Sequence, residues 1–281
     1  MRLTKNEFLA IYWKDMVKFS RSKAMLFSSL IQPILWLIVY GLSMSNNMNM
    51  FFPVNPDLTD TLSLNYMTFI AAGVIGMTIL FTCLYAGQHL QFDRHYGLMK
   101  EMMLSPMPRL QVLAGVTLSG ATKALIQTVI IMVFGYFVGV QFFSGFTVVE
   151  TVVSLLGIFL FAILFSTSLL FISSSIAMRI NNHETVQALI TLLTLPLFFA
   201  SNALYPIESL PAAIKIVSYF NPLAYFINGV RYFSVGSDFY FQGIHYSYNS
   251  NQLLLSLGFL VVFNLITFLC AYWVFKTAKD F

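Results

Sequence analysis

Charged residues are scarce in this sequence. Lysine, arginine, aspartate and glutamate make up 9% of its 281 residues, whereas 58% are apolar. Soluble proteins usually carry about 25% charged residues, so this composition cannot cover a water-exposed surface. The formal net charge of +4 is too small to indicate a nucleic-acid partner. The composition therefore predicts a membrane protein.

Disulfide, metal and catalytic patterns are also missing. The two cysteines, Cys83 and Cys270, fall inside apolar runs and give neither a disulfide framework nor a metal-ligand spacing. The histidines form no i, i+4 pair and have no carboxylate cluster beside them; they are His89, His95, His183 and His245. No Gly-x-Ser-x-Gly or His-Glu-x-x-His motif is present. We predict no metal site and no catalytic residue on this chain.

A nucleotide site is missing as well. Gly115 and Gly120 have the glycine spacing of a P-loop, but Ala121-Thr122 stands where the motif needs lysine followed by serine or threonine. We therefore expect no bound cofactor and no ATP hydrolysis by this chain alone. Lys123 and Glu150 lie near the ends of apolar runs, so a midplane ion-coupling site is not indicated. Any transport would draw its energy from another protein.

The sequence does contain long apolar runs. A helix needs about 20 residues to cross ~30 Å of hydrocarbon, and backbone groups in lipid must be satisfied within the segment, which favours helices. Six segments meet that length, near 25–44, 66–88, 113–139, 148–177, 186–205 and 252–275. The predicted fold class is an all-α polytopic membrane protein, with six transmembrane helices in a single domain over 1–281.

Lysines and arginines alternate between the loops. Six lie in the N-terminal stretch, three in 89–112, one in 178–185 and two in the tail, against two in 206–251 and none in 45–65 or 140–147. Because basic residues favour the cytoplasmic side, both termini are predicted to be cytoplasmic.

The stretch 4–23 precedes the first span and has an amphipathic helical pattern. Lys14, Lys18 and Arg21 share one narrow arc, while Phe8 and Phe19 belong to the apolar face. Such a helix is expected to lie in the cytoplasmic interface, with its lysines toward anionic lipid headgroups. A basic cytoplasmic tail without this role is the alternative.

The loop after the second span predicts a short cytoplasmic helix over 93–105. Pro106 stops it, and an apolar ridge that suits a protein partner runs along it. The alternative is that the ridge packs back on the same protein or on the headgroups. The ridge consists of Leu98, Met99, Met102 and Met103.

The apolar loop 206–251 is too interrupted to be a span. Two helical pieces within 208–234 are separated at Asn221-Pro222, because a proline disfavours helix at the preceding residue. A re-entrant external hairpin is the favoured interpretation, and two interfacial helices lying flat are the alternative.

Mildly polar residues occur inside the predicted spans. Most such groups hold helices together, but some could line a path for an amphipathic compound. The candidates for path lining are Gln32, Gln187, Thr191 and Asn202.

Several short motifs occur in a recognisable order along nearly the whole chain. They are Arg94-x-x-Gly97, Leu104-Ser105-Pro106-Met107-Pro108-Arg109, Tyr205-Pro206-Ile207-x-x-Leu210-Pro211 and Asn221-Pro222-Leu223-Ala224-Tyr225, followed by Arg231. With six spans, a basic leading helix and a hairpin before the last span, the sequence resembles an ABC-2 type ABC-transporter permease of the drug- and glycolipid-exporting branch.

The resemblance implies a working exporter of two permeases and two ATPases. The permease would pair with a separate ATP-binding subunit, which holds ATP and Mg²⁺, and with a second permease copy, either identical or a close paralogue. The contact with the ATPase is assigned to Arg94, Leu98, Met99, Lys100, Glu101, Met102 and Met103. The external hairpin, with Asn221, Pro222, Tyr225 and Arg231, would close the outward end of the path.

The expected function is ATP-driven export of a drug, lipid or lipid-linked glycan across the plasma membrane of a prokaryote. A membrane scaffold or sensor without a transport path is the alternative. A membrane-embedded enzyme is least favoured, because no catalytic arrangement is present.

Overall fold

The computed structural model describes residues 7–45, 64–97, 108–207, 210–241 and 244–277. Within these ranges the regular secondary structure is helical apart from one short two-stranded sheet. The helices are α1 Glu7–Arg21, α2 Lys23–Leu35, α3 Tyr66–His95, α4 Arg109–Val138, α5 Val148–Arg179, α6 His183–Phe199, α7 Ala212–Tyr219, α8 Pro222–Val235 and α9 Ser250–Thr277. A π-helical turn, Trp36–Tyr40, continues α2 three residues after Pro33.

Within the described residues, five helices are long and apolar enough to cross a membrane. They are Leu26–Ser45, Tyr66–His95, Leu110–Val138, Val148–Arg179 and Ser250–Thr277. They coincide with five of the six predicted spans, and their length confirms a polytopic membrane protein.

The segment predicted as the fifth span, 186–205, is only partly helical. Helix α6 has 17 residues, which corresponds to about 25 Å, and residues 201–205 form bends. The side chain of Asn221 donates hydrogen bonds to the carbonyls of Leu197, at 2.7 Å, and Ala200, at 3.0 Å. These carbonyls lie at the end of α6, where helical partners run out. The hairpin therefore closes α6 well before position 205.

Helix α3 forms the centre of the bundle. It is buried along most of its length and packs against α4, α5, α6 and α8. Gly87 lets α3 approach α5 closely, because a Cβ atom there would lie 2.5 Å from the carbonyl oxygen of Ser173. Aromatic side chains fill the space between α5 and α8, where the rings of Phe165 and Phe226 stack at 4.9 Å.

The two ends of the bundle have different composition. At the end that we call the basic end, Lys14, Arg94 and Arg179 come together with the last residues of α9. At the opposite end, which we call the hairpin end, the Leu64 amide donates to the Tyr240 carbonyl at 2.9 Å. Described parts of loops that were predicted to lie on one side of the membrane thus lie at the same end of the bundle. That the basic end faces the cytoplasm stays a prediction.

The region 206–251 contains more structure than its sequence indicated. Helices α7 and α8 break at Asn221-Pro222, as predicted. They are followed by an antiparallel pair of strands, β1 Asp238–Phe241 and β2 Ile244–Ser247. Phe241 stacks on Phe69 of α3 with ring centroids 3.9 Å apart, which attaches the strands to the bundle.

Candidate functional site

The last turn of α3 is bound to the end of α5 by Arg94. Its guanidinium donates to the carbonyl oxygens of Met178, at 2.9 Å, and Ala177, at 3.4 Å. These carbonyls belong to the final turn of α5, where helical partners run out, and a cation is favourable at that helix end. Arg94 therefore caps a neighbouring helix.

The same turn of α3 also holds the connection between α5 and α6. Gln91 donates to the Asn181 carbonyl at 2.9 Å, and its Oε1 lies 2.7 Å from Nδ1 of His183, the first residue of α6. The rings of Phe92 and His183 lie 4.3 Å apart. The end of α3 is therefore joined to the α5–α6 turn by two hydrogen bonds and a ring contact.

Helix α1 is attached to the same place from the other side. The Lys14 ammonium lies 3.0 Å from the Asp93 carboxylate, and Asp15 accepts a hydrogen bond from Ser119 of α4 at 2.9 Å. Ile11 packs closely on Gly115 of α4. Because the Lys14 side chain is 42% exposed, the ion pair contributes at most about 1 kcal/mol, and it mainly fixes position.

The Arg94-x-x-Gly97 motif has a structural explanation. Gly97 has φ of +78°, a left-handed conformation that suits glycine and ends helices. Its amide donates to the Arg94 carbonyl at 3.2 Å. Arg94 thus caps α5, and Gly97 ends α3 immediately before residue 98.

The other predicted ATPase-contact residues lie outside the described residues. They are Leu98, Met99, Lys100, Glu101, Met102 and Met103. Gly97, the last described residue before them, lies at the junction of α1, α3, α5 and α6.

A sequence profile of the ABC-2 type transporter family matches residues 6–234. The chain belongs to the ABC-2 type transporter family. The match includes the α3 junction and the α7–α8 hairpin, so both features occur inside the family domain of this permease.

Permeases from different organisms are similar to this chain along most of its length. The ycf38 protein of Cyanophora paradoxa, which carries the name of a transport permease, is 29% identical over 94% of this chain and 87% of its own. The inner membrane transport permease YadH of Escherichia coli K12 is 25% identical over 94% and 92%. The daunorubicin resistance permease DrrB1 of Streptomyces coeruleorubidus is 22% identical over 76% and 69%.

The hairpin of this ABC-2 permease surrounds Arg231. This residue is 1% exposed, donates to the Asn202 carbonyl at 2.6 Å and lies 3.6 Å from the centre of the Phe69 ring. Asn221 caps α6 and accepts from the Leu223 amide at the start of α8. The hairpin residues thus hold α3, α6 and α8 together.

Tyr225 of α8 is hydrogen-bonded to the end of α7. Its hydroxyl donates to the Tyr219 carbonyl at 2.8 Å. The phenol is protonated at neutral pH, and burial, with a smaller contribution from Tyr219, raises the pKa of Tyr225 further.

The four residues predicted to line a transport path differ in their exposure and location. Gln32, Gln187 and Thr191 are exposed on α2 and α6, and Gln187 contacts Gln88. Asn202 is buried at the hairpin end, where its side-chain nitrogen lies 2.5 Å from Oδ1 of Asn228.

The basic residues of α1 also have different surroundings. Lys14 pairs with Asp93, Lys18 lines a small cleft beside His89 and Lys123, and Arg21 is exposed. Asp15, Gln91 and His183 were missed as site residues in the sequence. An acid that interrupts the amphipathic pattern of α1 was the available signal for Asp15.

Proposed function

We propose that this permease is the transmembrane subunit of an ATP-driven exporter. It moves an amphipathic or hydrophobic compound, such as a drug, a lipid or a lipid-linked glycan, outward across the membrane. A separate ATP-binding subunit with ATP and Mg²⁺ supplies the energy. The observation that carries the proposal is the α3 junction, which connects the loop 98–107 to three other helices of an ABC-2 family chain.

The junction provides a route for conformational work. A partner that pulls on residues 98–103 acts first on the last turn of α3. From there, Arg94 and Gln91 transmit movement to α5 and α6, while Asp93 transmits it to α1. Rigid helices joined by hydrogen bonds are suited to this transfer.

A second permease copy fits the exposed surfaces of α2 and α6. On α2, Phe27 and Ile31 are 69% and 59% exposed, Val39 in the π-helical turn that continues it is 59% exposed, and on α6 Leu192 is 67% exposed. Such apolar faces require lipid or protein cover. Gln32, Gln187 and Thr191 are exposed on these same two helices, so pairing two copies there would place polar groups along a path between them.

We place both termini in the cytoplasm and the chain in the plasma membrane of a prokaryote. The distribution of lysine and arginine supports the orientation. Likeness to an inner membrane permease of Escherichia coli supports the location.

Reconstitution tests the function directly. The permease and its ATP-binding partner subunit are placed in proteoliposomes, and ATP-dependent movement of a compound panel is measured. The same ATPase with its Walker A lysine replaced is the control. Transport of at least one amphipath with the active ATPase only is expected. A folded complex that hydrolyses ATP but moves no panel member would favour a scaffold or sensor.

A further inference from the structure

A small cleft lies at the basic end, between α1, α3 and α4. Its volume is about 50 Å³. One enclosed water needs about 10–15 Å³, so the cleft has room for about four non-hydrogen atoms. It therefore suits a small polar group that belongs to a larger molecule. The ionisable side chains that border it are Asp15, Lys18, His89, Asp93 and Lys123.

The packing of α1 on α4 forms one wall of this cleft. Contacts between the two helices recur every four residues, at Ile11–Gly115, Asp15–Ser119 and Phe19–Lys123. Positions four residues apart lie on the same face of a helix, so α1 runs alongside α4. This arrangement holds the side chain of Lys18 at the border of the cleft.

The two acids of the cleft already have partners. The Asp93 carboxylate lies 3.0 Å from the Lys14 ammonium. The Asp15 carboxylate accepts a hydrogen bond from Ser119 at 2.9 Å and lies 3.8 Å from Lys14. Together with Lys18 and Lys123, three lysines thus accompany two aspartates, which leaves one positive charge in excess.

The basic groups that border the cleft lack such partners. Among the described residues, the side chains of Lys18, His89 and Lys123 make no hydrogen bond and no ion pair. The Lys123 ammonium lies 5.9 Å from the centre of the Phe19 ring, a cation–π distance that leaves its N–H donors unused. This ammonium keeps accessible surface in the cleft, and Lys18 and His89 are exposed. All three side chains can therefore donate to a group bound there.

The cleft lies where the membrane-crossing helices begin and end. Lys18 comes eight residues before Leu26, the start of a helix long enough to cross a membrane, and His89 lies six residues before the end of α3. Ile126, about one turn beyond Lys123 on α4, is 36% exposed, as expected of a side chain that faces lipid. A molecule held in the cleft would therefore have lipid beside it.

These features select the chemistry of the bound group. An organic cation is disfavoured beside Lys18 and Lys123. The unused donors and the single excess charge favour an anion with several acceptor oxygens. A phosphate diester carries one negative charge and has the size of the cleft, and its remaining atoms would extend into the bilayer. We infer that this cleft is a binding site for the phosphate group of an anionic lipid.

Three variants separate this site from a general attraction between α1 and an anionic membrane. Lys123→Met removes the ammonium and keeps a long side chain, and Lys18→Gln removes the second lysine. Arg21→Gln is the matched control, because Arg21 is exposed on α1 three residues after Lys18 and does not border the cleft. A general attraction would respond equally to Lys18 and Arg21.

Native mass spectrometry of the full-length permease in detergent micelles measures bound lipid. The lipid probes are phosphatidylglycerol, phosphatidylethanolamine with the same acyl chains, and oleate. Inorganic phosphate is followed separately by the linewidth of its ³¹P NMR signal. Thermal unfolding of each variant checks its fold. Neither ATP nor an ATPase is present, so the result does not depend on the proposed export.

Preferential binding of one phosphatidylglycerol is expected with the wild type and with Arg21→Gln. Lys123→Met and Lys18→Gln should each weaken its affinity at least about tenfold, because a hydrogen bond to a charged group is lost. If Lys123→Met does not fold, the exposed Lys18→Gln decides the test alone.

Four results would overturn the inference. The first is unchanged affinity for phosphatidylglycerol in the folded variants, and the second is an equal loss of affinity in Arg21→Gln. The third is binding of phosphatidylethanolamine or oleate as tight as that of phosphatidylglycerol. The fourth is broadening of the inorganic phosphate signal that Lys123→Met abolishes, without any preference for phosphatidylglycerol, which would assign the cleft to free phosphate.

Discussion

Replacing Arg94 with alanine should loosen the end of α5 while the bundle stays folded. The bonds from the half-buried guanidinium to α5 are a short one, 2.9 Å to the Met178 carbonyl, and a long one, 3.4 Å to the Ala177 carbonyl. A hydrogen bond to a charged group contributes about 1.5–3 kcal/mol, and the long bond adds little. A loss of about 2 kcal/mol corresponds to a roughly 30-fold larger open population.

Hydrogen exchange in nanodiscs measures this opening locally. Amides in 171–180 should exchange faster in Arg94→Ala, while those in α9 keep the wild-type rate. Arg94→Lys is the matched control, because it retains the charge near the end of α5 and should recover part of the protection. In the reconstituted exporter, Arg94→Ala should also transport less substrate for each ATP hydrolysed.

Equal exchange of 171–180 in wild type and Arg94→Ala, with α3 still folded, would refute the capping role. If Arg94→Ala exchanges faster in 171–180 but transports as much substrate per ATP as the wild type, the coupling role is refuted and the capping role stands.

Three further predictions concern the fold and the orientation. Asn221→Ala should lower the thermal stability of the solubilised permease by at least about 2 kcal/mol, because it leaves two carbonyl groups at the end of α6 without their donor. Gly87→Val should yield little monodisperse protein, since its Cβ would lie 2.5 Å from an α5 backbone oxygen, whereas Gly258→Val meets open space and should be tolerated. In a Cys270→Ser background, Ser247→Cys should react with an impermeant maleimide in intact cells, whereas Tyr96→Cys should not. The reverse labelling would show that the predicted orientation is inverted.

Composition and periodicity predicted the long helices well. Charge-free runs of about 20 residues have few alternatives in a bilayer, so the helices around Phe69 and Phe165 followed from hydropathy. The break at Asn221-Pro222 followed from the steric effect of proline on the preceding residue.

Features that depend on distant partners could not be predicted in this way. Helix α6 ends at Phe199 with Asn221 on its terminal carbonyls, more than 20 residues further along the chain. Arg94 was recognised as part of a motif, but its partner Met178 is 84 residues away. The β-hairpin was missed because Phe239 and Phe241, which pack inward, belong to a strand of only four residues, so the alternation of buried and exposed positions is very short.

The polar contacts at the basic end also depend on partners that are distant in the sequence. Asp15 interrupts the amphipathic pattern of α1 and was assigned no role from the pattern, yet it accepts a hydrogen bond from Ser119. Its function depends on how α1 packs against α4, which periodicity does not specify.

The central claim is that residues 98–103 receive conformational work from an ATPase. Burying the ridge could contribute about 1.5–3 kcal/mol for each well-buried side chain, and an unpaired buried charge is costly. The decisive measurement is co-purification of the ATPase with a Met99→Asp/Met102→Asp permease. Asn249→Asp/Ser250→Asp, which adds the same charge at the hairpin end, is the control. We predict loss of the ATPase from the first variant only, at unchanged permease levels in the membrane. Retention of the ATPase and normal export by the first variant would contradict the account and make helix α1 the better candidate for coupling.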